Sequence, residues 1–235
     1  MKFALVTGAS SGIGRSVSIE LAKNGFNVAL ASRSIEKLDS LSNEISSLNL
    51  DVKSYPFKLD VTNENDVKNL FNETSKIGFV DTVINNAGFG KFSKIQNTST
   101  EDWDSQINTN LRGSFLISRE YATPMIEKKE GTLLFLNSVA GKHGYPYSAA
   151  YVSSKYGMRG LADSLRNELR EHNIRVMSVH PGAVSTEFWD EIDVDFPKDE
   201  MLTPDDIASS IVHAINSPKN SVTEEIVIRR VGGDF

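Results

Sequence analysis

Thr7-Gly8-Ala9-Ser10-Ser11-Gly12-Ile13-Gly14 follows the apolar run Phe3-Ala4-Leu5-Val6 and opens the helix-like stretch 11–24. Strand, glycine-rich turn and helix in this order make a cradle for a pyrophosphate. Glycines let the main chain approach the ligand, and the helix N-terminus supplies free N–H donors and a positive dipole end. The spacing is G-x-x-x-G-x-G, not the G-x-G-x-x-G of the general dinucleotide fingerprint. A strand-to-helix turn that needs glycine for positive φ is the plain alternative. The strand before it and the helix after it favour the cofactor. Candidate pyrophosphate contacts are Gly8, Ser10, Ser11, Gly12, Ile13 and Gly14.

The same rhythm continues along the chain. Strand-like runs at 3–6, 27–32, 52–59, 80–85, 132–137, 174–179 and 225–231 alternate with helix-like stretches at 11–24, 35–48, 64–77, 100–125, 151–172 and 204–216. Leu133, Leu134, Phe135 and Leu136 run together without polar alternation, as expected of a strand covered on both faces. This pattern predicts an α/β fold: a doubly wound, Rossmann-type, mostly parallel seven-stranded sheet with helices on both faces. Helix starts carry capping residues: Thr62 or Asn63, Thr100, and Thr203 before Pro204. No repeat or linker divides the chain, so 1–235 is read as one domain. The irregular stretch after the sixth strand, with Phe188, Trp189 and Phe196 among acids, is a candidate substrate lid near 183–201.

The 235 residues include 25 basic and 31 acidic side chains, a net charge of −6, and no Cys. Cysteine nucleophiles, disulfides, iron–sulfur clusters and thiolate metal sites are excluded. His143, His172, His180 and His213 have no short ligand spacing, so no metal site is expected. The negative balance gives no reason to expect a nucleic acid partner or an anionic membrane surface. No apolar run approaches the roughly 18 residues needed to span a bilayer. The apolar start ends too soon for a signal peptide, and a cytoplasmic protein is expected.

Tyr151 and Lys155 stand four apart at a helix start, so their side chains share a face. A phenol is a poor base at neutral pH, and a nearby ammonium favours its ionised form. Ser138 ends the fifth strand, where an open sheet places its ligand crevice. Its hydroxyl can hold a carbonyl oxygen while Tyr151 donates or removes the proton. Taken singly, Tyr-x-x-x-Lys also suits a surface helix pair, and Ser138 a strand-end turn. His180 beside Pro181 is read as a packed strand-end residue. Phe89, Phe92, Tyr145, Tyr147, Phe188 and Trp189 lie near the expected pocket edges and suit an apolar or aromatic substrate site.

Taken together, these motifs resemble the short-chain dehydrogenase/reductase family over the whole chain. Thr7-Gly8 through Gly14 matches that family's glycine turn, Asp60-Val61 its adenine-side acid, and Asn85-Asn86-Ala87-Gly88 its N-N-A-G motif. Asn110, Ser138, Tyr151 and Lys155 match its catalytic tetrad. Pro181-Gly182 and Thr186, with Val184 between them, match its nicotinamide-side loop. The resemblance implies that Tyr151 is the general acid/base, Ser138 holds the substrate oxygen, and Asn110 anchors a proton-relay water. It also implies that Lys155 binds the nicotinamide ribose and lowers the Tyr151 pKa.

The second strand ends Leu30-Ala31-Ser32-Arg33-Ser34, with no acid before Glu36. An acid there holds the 2′-hydroxyl of NAD, whereas Arg accommodates the 2′-phosphate of NADP. Arg33 therefore selects NADP(H). Relatives of this kind often carry a second basic residue in the glycine turn, where this chain has Ser10-Ser11, and Arg15 is not expected to reach. The expected function is an NADP(H)-dependent oxidoreductase moving hydride between nicotinamide and a carbonyl or secondary alcohol, acting as a carbonyl reductase. A 3-oxoacyl-[acyl-carrier-protein] reductase ranks second, because the basic residues of the candidate docking segments are interleaved with acids. A non-catalytic dinucleotide-sensing module ranks third. Leu161, Leu165 and Leu169 with Met158, and Leu111, Phe115 and Ile117, give two helices more apolar surface than one packing face requires. As in the family, a homo-oligomer is expected, a dimer or tetramer.

Overall fold

The computed structural model describes residues 2–190, 197–218 and 220–233, and strands alternate with helices along it. The elements are β1 (Lys2–Thr7), α1 (Gly12–Lys23), β2 (Phe26–Ser32), α2 (Ile35–Ser47), β3 (Ser54–Lys58), α3 (Glu64–Ile77) and β4 (Thr82–Asn85). They continue as α4 (Thr100–Gln106), α5 (Gly113–Lys128), β5 (Gly131–Leu136), α6 (Ala149–Leu169), β6 (Ile174–Pro181), α7 (Pro204–Ile215) and β7 (Glu225–Ile228).

The strands form one sheet in the order β3-β2-β1-β4-β5-β6-β7. Every pairing is parallel, where the sequence led to a mostly parallel sheet. Alternate residues of each strand feed two separate cores. Phe3 and Leu5 join Val67, Leu70, Leu116, Ile117, Met158 and Ala162 under α3, α5 and α6. Ala4 and Val6 join Val17, Leu21, Leu38, Leu41, Ile207 and Ile211 under α1, α2 and α7. With both faces covered, polar alternation has no place, which explains the continuous apolar runs. Pro56 sits in β3, at the sheet edge, where its missing N–H costs least.

The chain winds outward from β1 to β3, then returns to place β4 on the other side of β1. That reversal opens a crevice at the carboxyl ends of β1 and β4, where ligands bind in such sheets. Four loops meet there: those after β1, β4, β5 and β6.

One helix departs from expectation. The stretch 100–125 is not continuous, because Ile107–Arg112 forms a π-turn between α4 and α5. Ile107, Asn108, Thr109 and Asn110 are all weaker helix formers than Ala or Leu, so the wider turn costs little there. Asn63, not Thr62, caps α3, accepting from the N–H groups of Asn65 and Asp66. Ser99, not Thr100, caps α4. Thr203 and Asp206 form a reciprocal capping box at α7.

Of the expected lid, residues 191–196 lie outside the described residues. Its base is defined by a parallel bridge between Val184 and Leu202, with Ser185 N–H to Leu202 O at 2.8 Å and Leu202 N–H to Ala183 O at 3.1 Å. Between them Glu187–Trp189 makes a single 3₁₀ turn capped by Thr186.

Candidate active site

The glycine turn sits over β4. The Thr7 hydroxyl accepts from the N–H groups of Asn86 (3.0 Å) and Ala87 (3.1 Å). The Asn86 side chain donates back to Thr7 O (2.8 Å) and Gly8 O (3.1 Å). These bonds lash the loop after β4 to the loop after β1. Gly8 has φ +65°, and a Cβ there would lie 2.8 Å from Asn86 Nδ2. A Cβ on Gly14 would lie 2.3 Å from Gly8 O and 2.4 Å from the same Nδ2. The cradle is thus closed to side chains, as close approach of main chain to a pyrophosphate requires. Asn85 turns away and donates to Ser118 on α5 at 3.1 Å.

A groove of about 1330 Å³ runs from this cradle in both directions. At one end it is lined by Ser32, Arg33, Ser34, Lys37, Asp60 and Val61. Asp60 is fixed by Thr62, whose N–H (2.9 Å) and hydroxyl (2.7 Å) both donate to its Oδ1. Among the described residues no carboxylate pairs with Arg33. Arg15, in contrast, is ion-paired with Glu44 and lines no part of the groove. Lys37, which the sequence reading passed over, lies beside Arg33 in the groove wall and reaches Glu187 at 3.6 Å. Its position one turn into α2 is the signal that was available.

At the other end lie Ser138, Tyr151 and Lys155. Ser138 and Tyr151 are hydrogen-bonded through their side chains. Burial pushes the Tyr151 phenol up to about 12, and the Ser138 bond opposes that rise. Burial also pushes the Lys155 ammonium down to about 8. Lys155 donates to Leu136 O at 2.9 Å, and its Nζ stands 5.7 Å from the Tyr151 ring centre. Burial is the largest influence on the phenol.

Asn110 is fully buried in the π-turn and does not line the groove. Its side chain accepts from Phe89 N–H (3.0 Å) and donates to Phe89 O (2.9 Å) and the Ser154 hydroxyl (2.9 Å). It therefore fastens the loop after β4 to α6 one residue before Lys155. The other expected residues, Ala87, Gly88, Pro181, Gly182, Val184 and Thr186, all line the groove. Thr186 closes over the cradle, since a Cβ on Gly12 would meet its methyl at 3.2 Å.

One support escaped the sequence reading, and a second was read only as a packed strand-end residue. Asn137 holds Ser138 N–H with its Oδ1 (2.8 Å) and donates to Lys155 O (3.1 Å), so one side chain sets the spacing of two site residues. His180, fully buried, places Nδ1 3.0 Å from Ser138 O. Burial holds its pKa below the ordinary range, and the neutral ring acts as a positioning residue behind Ser138.

The groove fits an extended dinucleotide with a small substrate. Glycine main chain faces the pyrophosphate position, a free guanidinium stands at one end, and a hydroxyl, a phenol and an ammonium meet at the other. That set can polarise a carbonyl and pass a proton to it.

Comparison with known proteins agrees. The family model of the short chain dehydrogenases matches residues 2–195. The chain is 33% identical over 239 residues to a sepiapterin reductase of Chlorobaculum tepidum, spanning 98% of this chain and 97% of that one. It is 36% identical over 204 residues to a 3-oxoacyl-[acyl-carrier-protein] reductase of Staphylococcus aureus, spanning 86% and 82%. Among solved structures, an alcohol dehydrogenase from the archaeon Thermococcus sibiricus complexed with 5-hydroxy-NADP superimposes with a TM-score of 0.91 at 30% identity, covering 98% of this chain and 97% of that one. A metagenomic short-chain oxidoreductase in complex with NADP gives 0.84 at 30% identity, with the same coverage.

Proposed function

The chain belongs to the short-chain dehydrogenase/reductase family, and from that premise we propose an NADP(H)-dependent reductase of carbonyl compounds. One observation carries this reading: a single groove holds Ser138, Tyr151 and Lys155 at one end and an unpaired Arg33 at the other. The bound nicotinamide supplies the hydride. Ser138 donates a hydrogen bond to the substrate oxygen and polarises the carbonyl. Tyr151, held protonated at neutral pH by its burial, gives its proton to that oxygen as negative charge develops on it. Lys155 holds the ribose hydroxyls and lies close enough to stabilise the phenolate that remains. Arg33 and Lys37 hold the 2′-phosphate, and Asp60 with Val61 borders the adenine. The α1 N-terminus faces the pyrophosphate.

Reduced nicotinamide absorbance followed with a panel of ketones and aldehydes tests the reading. NADPH-dependent loss of absorbance that Tyr151→Phe abolishes supports it. A purified protein that binds NADPH and turns over nothing would leave only the dinucleotide-sensing alternative.

The carrier-protein alternative is disfavoured by charge. On α6, Arg159 pairs with Glu225 and Arg166 with Asp163, and just past its end Arg170 pairs with Glu224, which leaves those cations neutralised against an acidic carrier. Self-association through α4, α5 and α6 belongs to the same reading. Met158 and Leu169 are buried in the chain's own core, with Leu161 and Leu165 packed against it, yet Phe115 (42% exposed), Tyr156 (44%) and Trp103 remain at the surface. The described residues Ala183, Val184 and Thr186–Trp189 border the groove and serve as the base of the substrate lid.

A further inference from the structure

Among the described residues, four other than glycine have positive φ: Asn49, Lys129, Tyr147 and Asn173. Three are explained by local chemistry. Asn tolerates this conformation through its short polar side chain. Asn173 and Lys129 also cap helices, and Asn49 follows a cap directly. Tyr147, at φ +63°, has no such reason. It is a bulky aromatic residue in a conformation that costs it free energy, and its ring is 60% exposed, so burial within the chain does not offset that cost.

The strain is held in place from outside. Ser93 N–H donates to Tyr147 O at 2.7 Å, tying the turn before α6 to the segment that carries Phe89 and Phe92. Tyr147 is part of the groove wall at the end that holds Tyr151. Facing that end is a continuous aromatic surface. The rings of Phe92, Tyr151 and Phe188 stand 5.5–6.1 Å apart pairwise. Gly90 permits this, since a Cβ there would lie 2.8 Å from Phe188 Cζ and 3.0 Å from Phe92.

Apart from Lys155, which is committed to the reaction itself, the charged side chains that line this end are engaged. Lys91 pairs with Asp102 at 2.7 Å, Glu187 with Lys37 at 3.6 Å, and Arg230 with Glu200. None is left over for a substrate carboxylate or phosphate among the described residues.

We propose that Tyr147 is a specificity-determining residue and that the substrate is an uncharged carbonyl compound bearing a planar aromatic group, which the Tyr147 ring covers against the Phe92–Phe188 surface. This rests on the reductase reading and narrows its substrate to one chemical class. Stacking of a flat ligand recovers free energy that neither the strained backbone nor the exposed ring recovers in the free protein.

The test uses the full chain and two variants. Aryl ketones, aliphatic ketones of equal size and aliphatic keto acids are compared with NADPH. Binding of 1-phenylethanol to the NADP-loaded protein is measured by calorimetry, and the thermal midpoint is measured without ligand. Aryl ketones should lead in kcat/KM. Tyr147→Gly should raise the aryl ketone KM by about tenfold, with the smaller effect on kcat, and should raise the thermal midpoint, because glycine relieves the positive φ. Tyr147→Phe should restore wild-type aryl affinity. A fall in the midpoint of Tyr147→Gly, an unchanged aryl KM, or an equal rise for aliphatic ketones would overturn the proposal. Calorimetric binding of the aryl alcohol without turnover of any carbonyl would strike the reductase reading and support the aromatic site. Turnover of keto acids without aryl binding would strike the aromatic site alone.

Discussion

The ammonium of Lys155 is anchored on the carbonyl of Leu136, 2.9 Å away at the end of β5, in a site only 5% exposed. A single neutral acceptor leaves the cost of burying this charge largely uncompensated, and its pKa falls to about 8 from the ordinary 10.5. Between those values the folded chain holds fewer protons than the unfolded one, so stability rises with pH across that window. The span corresponds to a penalty on the order of 3 kcal/mol near neutral pH. Lys155→Met should therefore be more stable than wild type at pH 7, with the gap closing by about pH 10, while turnover collapses. Thermal melts at several pH values check both halves. A Met variant that melts lower at every pH contradicts the assignment.

Tyr151→Phe removes the proton donor together with its hydrogen bond to Ser138 and keeps the ring. Tyr151→Phe should retain NADPH affinity and lose about 10²–10⁴-fold in kcat. Cofactor titration by fluorescence and steady-state rates on the best carbonyl separate the two effects.

Arg33 has a free guanidinium in the groove wall, whereas Arg15 is occupied by Glu44. The free fork should favour NADPH over NADH by roughly tenfold or more in Kd. Arg33→Asp should reverse the order. Lys37→Ala should weaken NADPH alone, by a smaller factor because its ammonium is shared with Glu187. Equal affinity of the wild type for both cofactors would refute the assignment.

Two glycines provide opposite outcomes from the same substitution. Gly14→Ala places a methyl 2.3 Å from Gly8 O, against main chain that cannot yield. It should abolish cofactor binding and lower stability. Gly160, on the exposed side of α6, has nothing within 4 Å of an added Cβ. Gly160→Ala should stabilise the chain by roughly 0.5–1 kcal/mol through helix propensity. Denaturant unfolding of both variants makes the comparison.

The extent to which function could be read from the sequence follows how local each interaction is. The glycine turn and the Tyr151–Lys155 pair declare themselves because a strand-to-helix turn and a four-residue helical spacing are short-range geometry. The two-core sheet was legible because parallel strands buried on both faces lose polar alternation, as at 133–136. His180 was legible as a packed strand-end residue but not as the partner of Ser138 O, and the reach of Asn137 to Lys155 O was not legible, since both depend on tertiary packing. Asn110 was half legible. Its match to the family's tetrad marked a task, but the π-turn and the partners at Phe89 and Ser154 depend on the loop after β4. Tyr147 was legible as an aromatic residue at the pocket edge, but its backbone was not, because sequence carries no direct sign of a strained φ in a residue that usually avoids it.

The short parallel bridge between Val184 and Leu202 closes the chain into a loop before it returns to α7. What lies between can therefore change length or composition without shifting the register of β6 or the docking of α7. Loop-closure entropy grows only logarithmically, so doubling the segment costs about 0.6 kcal/mol. The bridge thus separates the stretch of groove wall at Thr186–Trp189 from the frame of β6 and α7. Variation in that wall, rather than in the frame, is the change this scaffold absorbs at least cost.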